Sequence, residues 1–206
     1  EASMHTEIAT MLAIRLYPKQ LILIGDSKQL PARQLSEEAQ KYKLCPLFNR
    51  LYSHPYNKIV STSMLKEHKR MPKAIAKIIS ELFYDDELTY DNSIEANKLE
   101  INTAYDIWSD PEKPVVIMDS TDTVESKEGT SPKNDKEAMK CLEVAWKILE
   151  KAQTLEAKDI GIVTMFKGQA AEITRCLTHF NDKLASIQVS TVDKWQGSEA
   201  EIIIFS

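Results

Sequence analysis

Apolar residues along this chain gather in short runs separated by longer amphipathic stretches. Leu21–Ile24, Val115–Met118, Ile160–Val163 and Ile202–Phe205 are the clearest runs. Runs this short and this apolar predict strands covered on both faces, as in a parallel sheet. A weaker run, Ile187–Val192, alternates. Between the runs the period changes. Ile75, Ile78, Ile79, Leu82 and Phe83 recur at helical spacing after Pro72, a residue that a first turn accepts. Met139, Leu142, Ala145, Ile148 and Leu149 do the same, with Asn134 and Glu137 spaced for a capping box. A helix from Ser3 to Leu16 is expected to stop before Pro18, and another to run from Gln169 to Phe180. Asp85–Pro114 reads as irregular, and the polar stretch Asp119–Asn134 as a mobile loop.

Strands alternating with helices predict an α/β fold with a mainly parallel sheet. No internal repeat is visible. In open parallel sheets ligands sit beyond the carboxyl ends of the strands. Gly25–Gln29, Asp119, Thr164–Gln169 and Asp193–Glu199 are therefore the segments to read for chemistry.

Composition narrows the function classes. The chain has 206 residues, 43% hydrophobic and 28% charged, enough to bury a core without staples. A net charge of -5 does not suit a protein that coats nucleic acid through its overall field, so any such site is a local groove. Cys45, Cys141 and Cys176 are far apart and the histidines are isolated, which gives neither a zinc site nor a disulfide framework. Unpaired thiols suit a reducing compartment, cytosol or nucleus. The apolar runs are too short to cross a bilayer. The chain opens at Glu1 without a methionine and stops just after an apolar run, so both ends are read as cuts.

Several segments carry candidate chemistry. In Leu21–Ala32 a strand runs into Gly-Asp and then Gln29, Leu30 and Pro31. Gln29 has both donors and an acceptor, so it can sense a phosphate oxygen and orient a water; a plain polar turn is the alternative. Arg70 lies in a basic segment, Lys66–Lys73, before a helix. Its guanidinium is permanently charged and meets phosphate oxygens as a planar fork. Asp159–Ile173 joins a strand, a loop with Thr164, Phe166 and Lys167, and a helix. Val189–Ser206 contains Thr191-Val-Asp-Lys-Trp195-Gln-Gly197-Ser-Glu199 before a final apolar run. Trp195 is expected to anchor its loop by packing rather than to stack on a base.

Together these segments resemble the superfamily-1 helicases. Gly-Asp-x-x-Gln-Leu-Pro is similar to the family's third motif, and Glu1-Ala2-Ser3 to the tail of its Asp-Glu-Ala-Ser Walker B motif. Leu65–Leu88 is similar to the Gln-Tyr-Arg-Met motif, its helix and Phe-Tyr-x-x-x-Leu. Thr191–Glu199 matches the family's Thr-Val-Asp-x-aromatic-Gln-Gly-x-Glu. Pro114–Ser120, with Asn134-x-x-Glu137-Ala138, points to the branch of the nonsense-mediated-decay and nidovirus helicases.

The resemblance implies a RecA-like fold of the P-loop NTPase type. Residues 1–32 would be the tail of a first lobe and residues 33–206 a second lobe, truncated at its C-terminus. It implies ATP and Mg²⁺ as cofactors, with the metal ligands mostly outside this sequence. Glu1 becomes the general base, Gln29 a γ-phosphate and water contact, and Arg70 the residue that stabilises charge during phosphoryl transfer. Gln29, Lys69, Arg70, Gly197 and Glu199 line the nucleotide site between the lobes. Pro31, Thr164, Phe166, Lys167, Ser190 and Thr191 face single-stranded RNA or DNA, along which the intact enzyme moves 5′ to 3′. Lys69 stands where the family has a tyrosine that stacks on adenine, and a cation–π contact is its substitute. Met165 replaces a proline and Phe166 a tyrosine. No G-x-x-x-x-G-K-[ST] loop occurs in the sequence, so this piece alone is expected to be inactive. A helicase-derived binding scaffold without turnover is the alternative. A nucleotide kinase fits poorly with the arginine and Gln-Gly-x-Glu motifs.

Overall fold

The computed structural model describes residues 1–32, 36–41, 46–53, 60–90, 107–108, 110, 113–120, 123–152 and 154–206. In chain order they hold α1 (Glu7–Ile14), α2 (Glu37–Lys41), α3 (Leu47–Ser53), β1 (Glu67–His68), α4 (Lys73–Phe83), β2 (Thr89–Tyr90) and β3 (Ser126–Glu128). There follow β4 (Ser131–Lys133), α5 (Asp135–Lys151), β5 (Ile160–Thr164), α6 (Lys167–Phe180), β6 (Gln188–Thr191), α7 (Val192–Trp195) and β7 (Ile202–Phe205). Two compact units result: Glu1–His68 with Ser80–Thr89, and Lys69–Ile79 with Tyr90–Ser206. The boundary expected at residue 32 adjoins residues 33–35, which lie outside the described residues, as do Cys45 and most of Asp85–Pro114.

The second unit is built on a parallel sheet in the order β6-β5-β7. β5 is central, and all of its residues are buried. That explains its unbroken apolar run, because both faces are covered. Thr164 pairs with Thr191 and Val163 with Phe205, so the carboxyl ends of the three strands lie at one edge. α5 buries Ala138, Cys141, Leu142, Ala145 and Ile148 at helical spacing. α6 adds Ile173 and Leu177 to the same core, with Ile160, Ile162, Leu184 and Ile202. Full burial of one such leucine or isoleucine contributes ~1.5–3 kcal/mol, so this cluster dominates the unit's stability. The strands expected at Ile160–Val163, Ile187–Val192 and Ile202–Phe205 are present to within a residue or two, and so is the helix ending at Phe180.

Other expectations are corrected. Leu21–Ile24 and Val115–Met118 are in no ladder, and Ile22 and Ile117 are 81% and 92% exposed. Among the described residues no strand lies alongside them, and backbone groups make a strand only with a partner. The first helix is shorter than Ser3–Leu16. Ala2–Met4 is a 3₁₀ turn, His5 is extended, and Thr6 then caps α1 by accepting from the Ala9 N–H at 3.4 Å. The polar stretch Asp119–Asn134 is not a plain loop. β3 and β4 form an antiparallel hairpin within it, turned at Gly129 and Thr130. Half of the capping box forms. Asn134 accepts from the Glu137 N–H at 3.1 Å, but the Asn134 N–H donates to Gln169 and the Glu137 carboxylate accepts from Ser206.

Candidate functional site

In the first unit the Glu-Ala-Ser and Gly-Asp-x-x-Gln segments lie side by side. The Ala2 N–H donates to the Ile24 carbonyl at 2.7 Å. Ser3 is buried, and its Oγ accepts from the Asp26 N–H at 3.0 Å. A Cβ on Gly25 would lie 2.8 Å from both the nitrogen and the Oγ of Ser3, so only glycine permits this approach. Glu1 and Gln29, both exposed, are thus carried on two segments tied by backbone contacts. Asp26 closes the turn. Its Oδ1 accepts from the Lys28 N–H at 2.9 Å, and its Oδ2 from Gln29 Nε2 at 3.0 Å and the Tyr84 hydroxyl at 2.5 Å. Burial first, then the Asp26 carboxylate, raises the Tyr84 pKa well above its ordinary value, so the hydroxyl stays protonated and donates. Pro31 is exposed two residues beyond Gln29.

In the second unit the arginine motif meets the Gln-Gly-x-Glu motif. Arg70 Nε donates to Glu199 Oε2 at 3.0 Å, across 129 positions of sequence. Both side chains are mostly exposed, 63% and 71%, so the pair contributes little stability by itself. Its geometric effect is to aim the guanidinium. Gly197 lies between Trp195 and Glu199 with a φ of 85°, a left-handed conformation that glycine adopts without strain. Trp195 rests on Gly161 of the central strand, which matches the packing role expected for it. Lys69 is exposed beside Arg70.

The carboxyl edge of the sheet holds the remaining candidates. Thr164, Ser190 and Thr191 are buried. Thr164 Oγ1 accepts from the Phe166 N–H at 3.3 Å, so this hydroxyl shapes the loop from beneath. Phe166 and Lys167 are the exposed groups, at the start of α6. The buried amide of Gln169 binds the hairpin's end. Its Oε1 accepts from the Asn134 N–H at 2.7 Å and its Nε2 donates to Ser206 Oγ at 2.9 Å. The Gly168 N–H, an orphan donor at a helix start, is satisfied by Ser131 Oγ at 2.8 Å. Behind this turn the buried carboxylate of Glu172 accepts from Lys133 at 2.8 Å, from Arg175 through two nitrogens, and from the Cys176 thiol. Arg175 and then Lys133 hold its pKa at about 2.

Residues 44–206 match the AAA domain family, and residues 1–37 match a second AAA domain family. The chain belongs to the AAA domain family of the superfamily-1 helicases. Over 212 residues this chain is 28% identical to the probable helicase senataxin of Homo sapiens, covering 99% of the chain and 8% of that protein. It is 28% identical over 215 residues to the regulator of nonsense transcripts 1 homolog of Drosophila melanogaster, covering 100% of the chain and 17% of that relative. It is 26% identical over 202 residues to the DNA replication ATP-dependent helicase/nuclease of Arabidopsis thaliana, covering 93% of the chain and 14% of that relative. The chain therefore spans between 8% and 17% of the length of these relatives.

The chain's candidate residues thus fall into three groups. Glu1 and Gln29 share one neighbourhood, Arg70 and Glu199 are in contact, and Phe166 with Lys167 stands at the sheet edge above Thr164. Ser3, Asp26 and Tyr84 stand in the motifs that the sequence displays but had no role there, and the Lys133–Glu172–Arg175 cluster was not visible in it. An Asp whose side chain takes the N–H two residues on is a recurrent turn device, so Asp26 carried a readable local signal. The other contacts join distant positions and carried none.

Proposed function

We propose that this chain is part of an ATP-dependent motor that moves along single-stranded RNA or DNA, 5′ to 3′. The observation that best supports this reading is the Arg70–Glu199 contact, which joins two motifs of complementary chemistry. Arg70, aimed by Glu199, stabilises the charge that builds on the transferred phosphoryl group. Glu199 also offers a carboxylate to ribose, and Gly197 allows the backbone to approach the nucleotide. Glu1 takes the proton of the attacking water, and Gln29 orients that water against the terminal phosphate. Lys69 lies over the base. Bound Mg²⁺ would neutralise phosphate oxygens. Among the described residues no group of three or more His, Cys, Asp or Glu could hold a metal ion.

On the nucleic-acid side, Phe166 packs on a sugar or base and Lys167 neutralises a phosphate. Thr164 acts from beneath by holding the Phe166 N–H, and Ser190 and Thr191 lie buried beside it on the neighbouring strand. In the first unit, Pro31 is the residue proposed to meet nucleic acid. The working compartment in this proposal is cytoplasm or nucleus. Cys141 and Cys176 are free thiols, and no helix among the described residues is long and apolar enough to cross a membrane.

The test is Arg70→Ala in the complete protein, assayed for ATP hydrolysis with and without single-stranded RNA and DNA at fixed salt. Loss of one preorganised charge-stabilising donor predicts a fall in kcat on the order of 10²–10³-fold. Unchanged nucleic-acid-stimulated hydrolysis would remove Arg70 from the mechanism. A complete wild-type protein that grips single strands without hydrolysing ATP would be a scaffold, not a motor.

A further inference from the structure

Asp26 is the meeting point of three segments, and none of the roles above uses it. Its backbone N–H is held by Ser3 Oγ at 3.0 Å, and one carboxylate oxygen is occupied by the Lys28 N–H at 2.9 Å. The other oxygen takes two donors, Gln29 Nε2 at 3.0 Å and the Tyr84 hydroxyl at 2.5 Å. A carboxylate accepts and does not donate. Gln29 must therefore turn its amide nitrogen, never its carbonyl oxygen, toward Asp26. Turning the amide over would set two acceptors against each other. Asp26 thereby decides which face of the Gln29 amide remains for other partners.

Tyr84 acts one bond further back. Its hydroxyl donates to the same Oδ2 that receives Gln29, so it fixes the plane of the carboxylate. The ring is set just after the end of α4, and the Tyr84 N–H is tied to the Ser80 carbonyl at 2.9 Å. Ser80 is buried, and its Oγ accepts from the Leu88 N–H at 3.0 Å. The donor thus comes from a rigid support in the same compact unit as Asp26 and Gln29. The contact restricts Gln29 to rotamers that keep Nε2 on Asp26, which raises the fraction facing a reacting water.

We infer that Tyr84, acting through Asp26, is a positioning residue that sets the rotamer and amide direction of Gln29. This rests on the reading of Gln29 as the group that orients the attacking water. Tyr84→Phe in the complete protein deletes the hydroxyl and keeps the ring. A hydrogen bond to a charged acceptor is lost, and the expected fall in kcat of nucleic-acid-stimulated ATP hydrolysis is about 10-fold. KM for ATP should stay within about twofold, because the loss falls on the reacting geometry rather than on binding.

The deciding readout is a double-mutant cycle, which a merely structural role would not reproduce. In a Gln29→Ala background, Tyr84→Phe should lower kcat no further. If the two losses multiply, or if Tyr84→Phe keeps the wild-type kcat while Gln29→Ala lowers it, the positioning role is wrong and the role of Gln29 stands. If Gln29→Ala keeps the wild-type kcat, the reading of Gln29 fails and takes this inference with it. Should Tyr84→Phe not fold, Asp26→Asn enters the same cycle and is judged by the same criterion.

Discussion

Replacing Gly161 by alanine tests whether the central strand fixes the nucleotide-side loop. A Cβ at Gly161 would lie 2.6 Å from Cζ2 of Trp195, closer still to its Cη2, and 3.0 Å from Cδ1 of Ile203. Carbon atoms rest at about 3.5–4.0 Å, so the indole has to retreat by about 1 Å. The Ile203 side chain is 46% exposed and can turn aside, so the strain falls mainly on the indole. Overpacking of this kind costs ~1–3 kcal/mol. Trp195 ends α7, and its carbonyl accepts from the Ser198 N–H at 2.8 Å, so its displacement carries Gly197 and Glu199 with it. The Arg70–Glu199 contact then loosens. Denaturant melts of the complete protein should show the unit that holds Gly161 melting earlier. ATP turnover should show a raised KM and a lowered kcat. If Gly161→Ala leaves the melting midpoint and both kinetic constants unchanged, Trp195 does not position this loop.

Two further outcomes follow from buried titratable groups. Glu172 has its folded pKa lowered from 4.5 to about 2, so its stabilisation is complete above about pH 4.5 and disappears as pH falls through about 2. Discounted for solvent screening at the exposed Arg175, Glu172→Gln should cost ~1–2 kcal/mol at pH 7. Denaturant melts from pH 7 down to pH 2.5 should show that difference narrowing only below about pH 4.5, and a constant difference would exclude the ion-pair origin. Cys141 is buried in α5, and burial raises its pKa to about 11, so it is a protonated thiol at neutral pH. Iodoacetamide should modify Cys141 only after denaturation, as read by peptide mass spectrometry. Rapid modification of the native protein would contradict the packing of that helix.

The pattern of apolar positions was readable where burial is two-sided. β5 lies between two strands and under helices, so it shows as an apolar run, and α5 shows its buried stripe at helical spacing. The same pattern misled at Leu21–Ile24 and Val115–Met118, because an apolar run states a need for a partner and not its presence. The β3–β4 hairpin escaped because its residues are polar. Its role is to supply Ser131 Oγ and the Asn134 backbone to the start of α6, which no periodicity registers. Arg70 and Glu199 were legible as chemical types in recognisable strings. Their contact was not, nor was that of Tyr84 with Asp26, because each joins remote positions whose spacing has no period.

The Glu172 cluster also constrains how this sequence can drift. One buried carboxylate answers two cations, Lys133 at the end of the hairpin and Arg175 on its own helix. Loss of either cation leaves the buried carboxylate with one cationic partner in place of two, and loss of the acid takes its buried acceptor from Arg175 while Lys133 keeps Asp135 at 3.1 Å. Viable intermediates between this arrangement and an apolar one are therefore few. The three positions should be inherited as a set, and in an alignment of relatives they should covary, changing together or not at all.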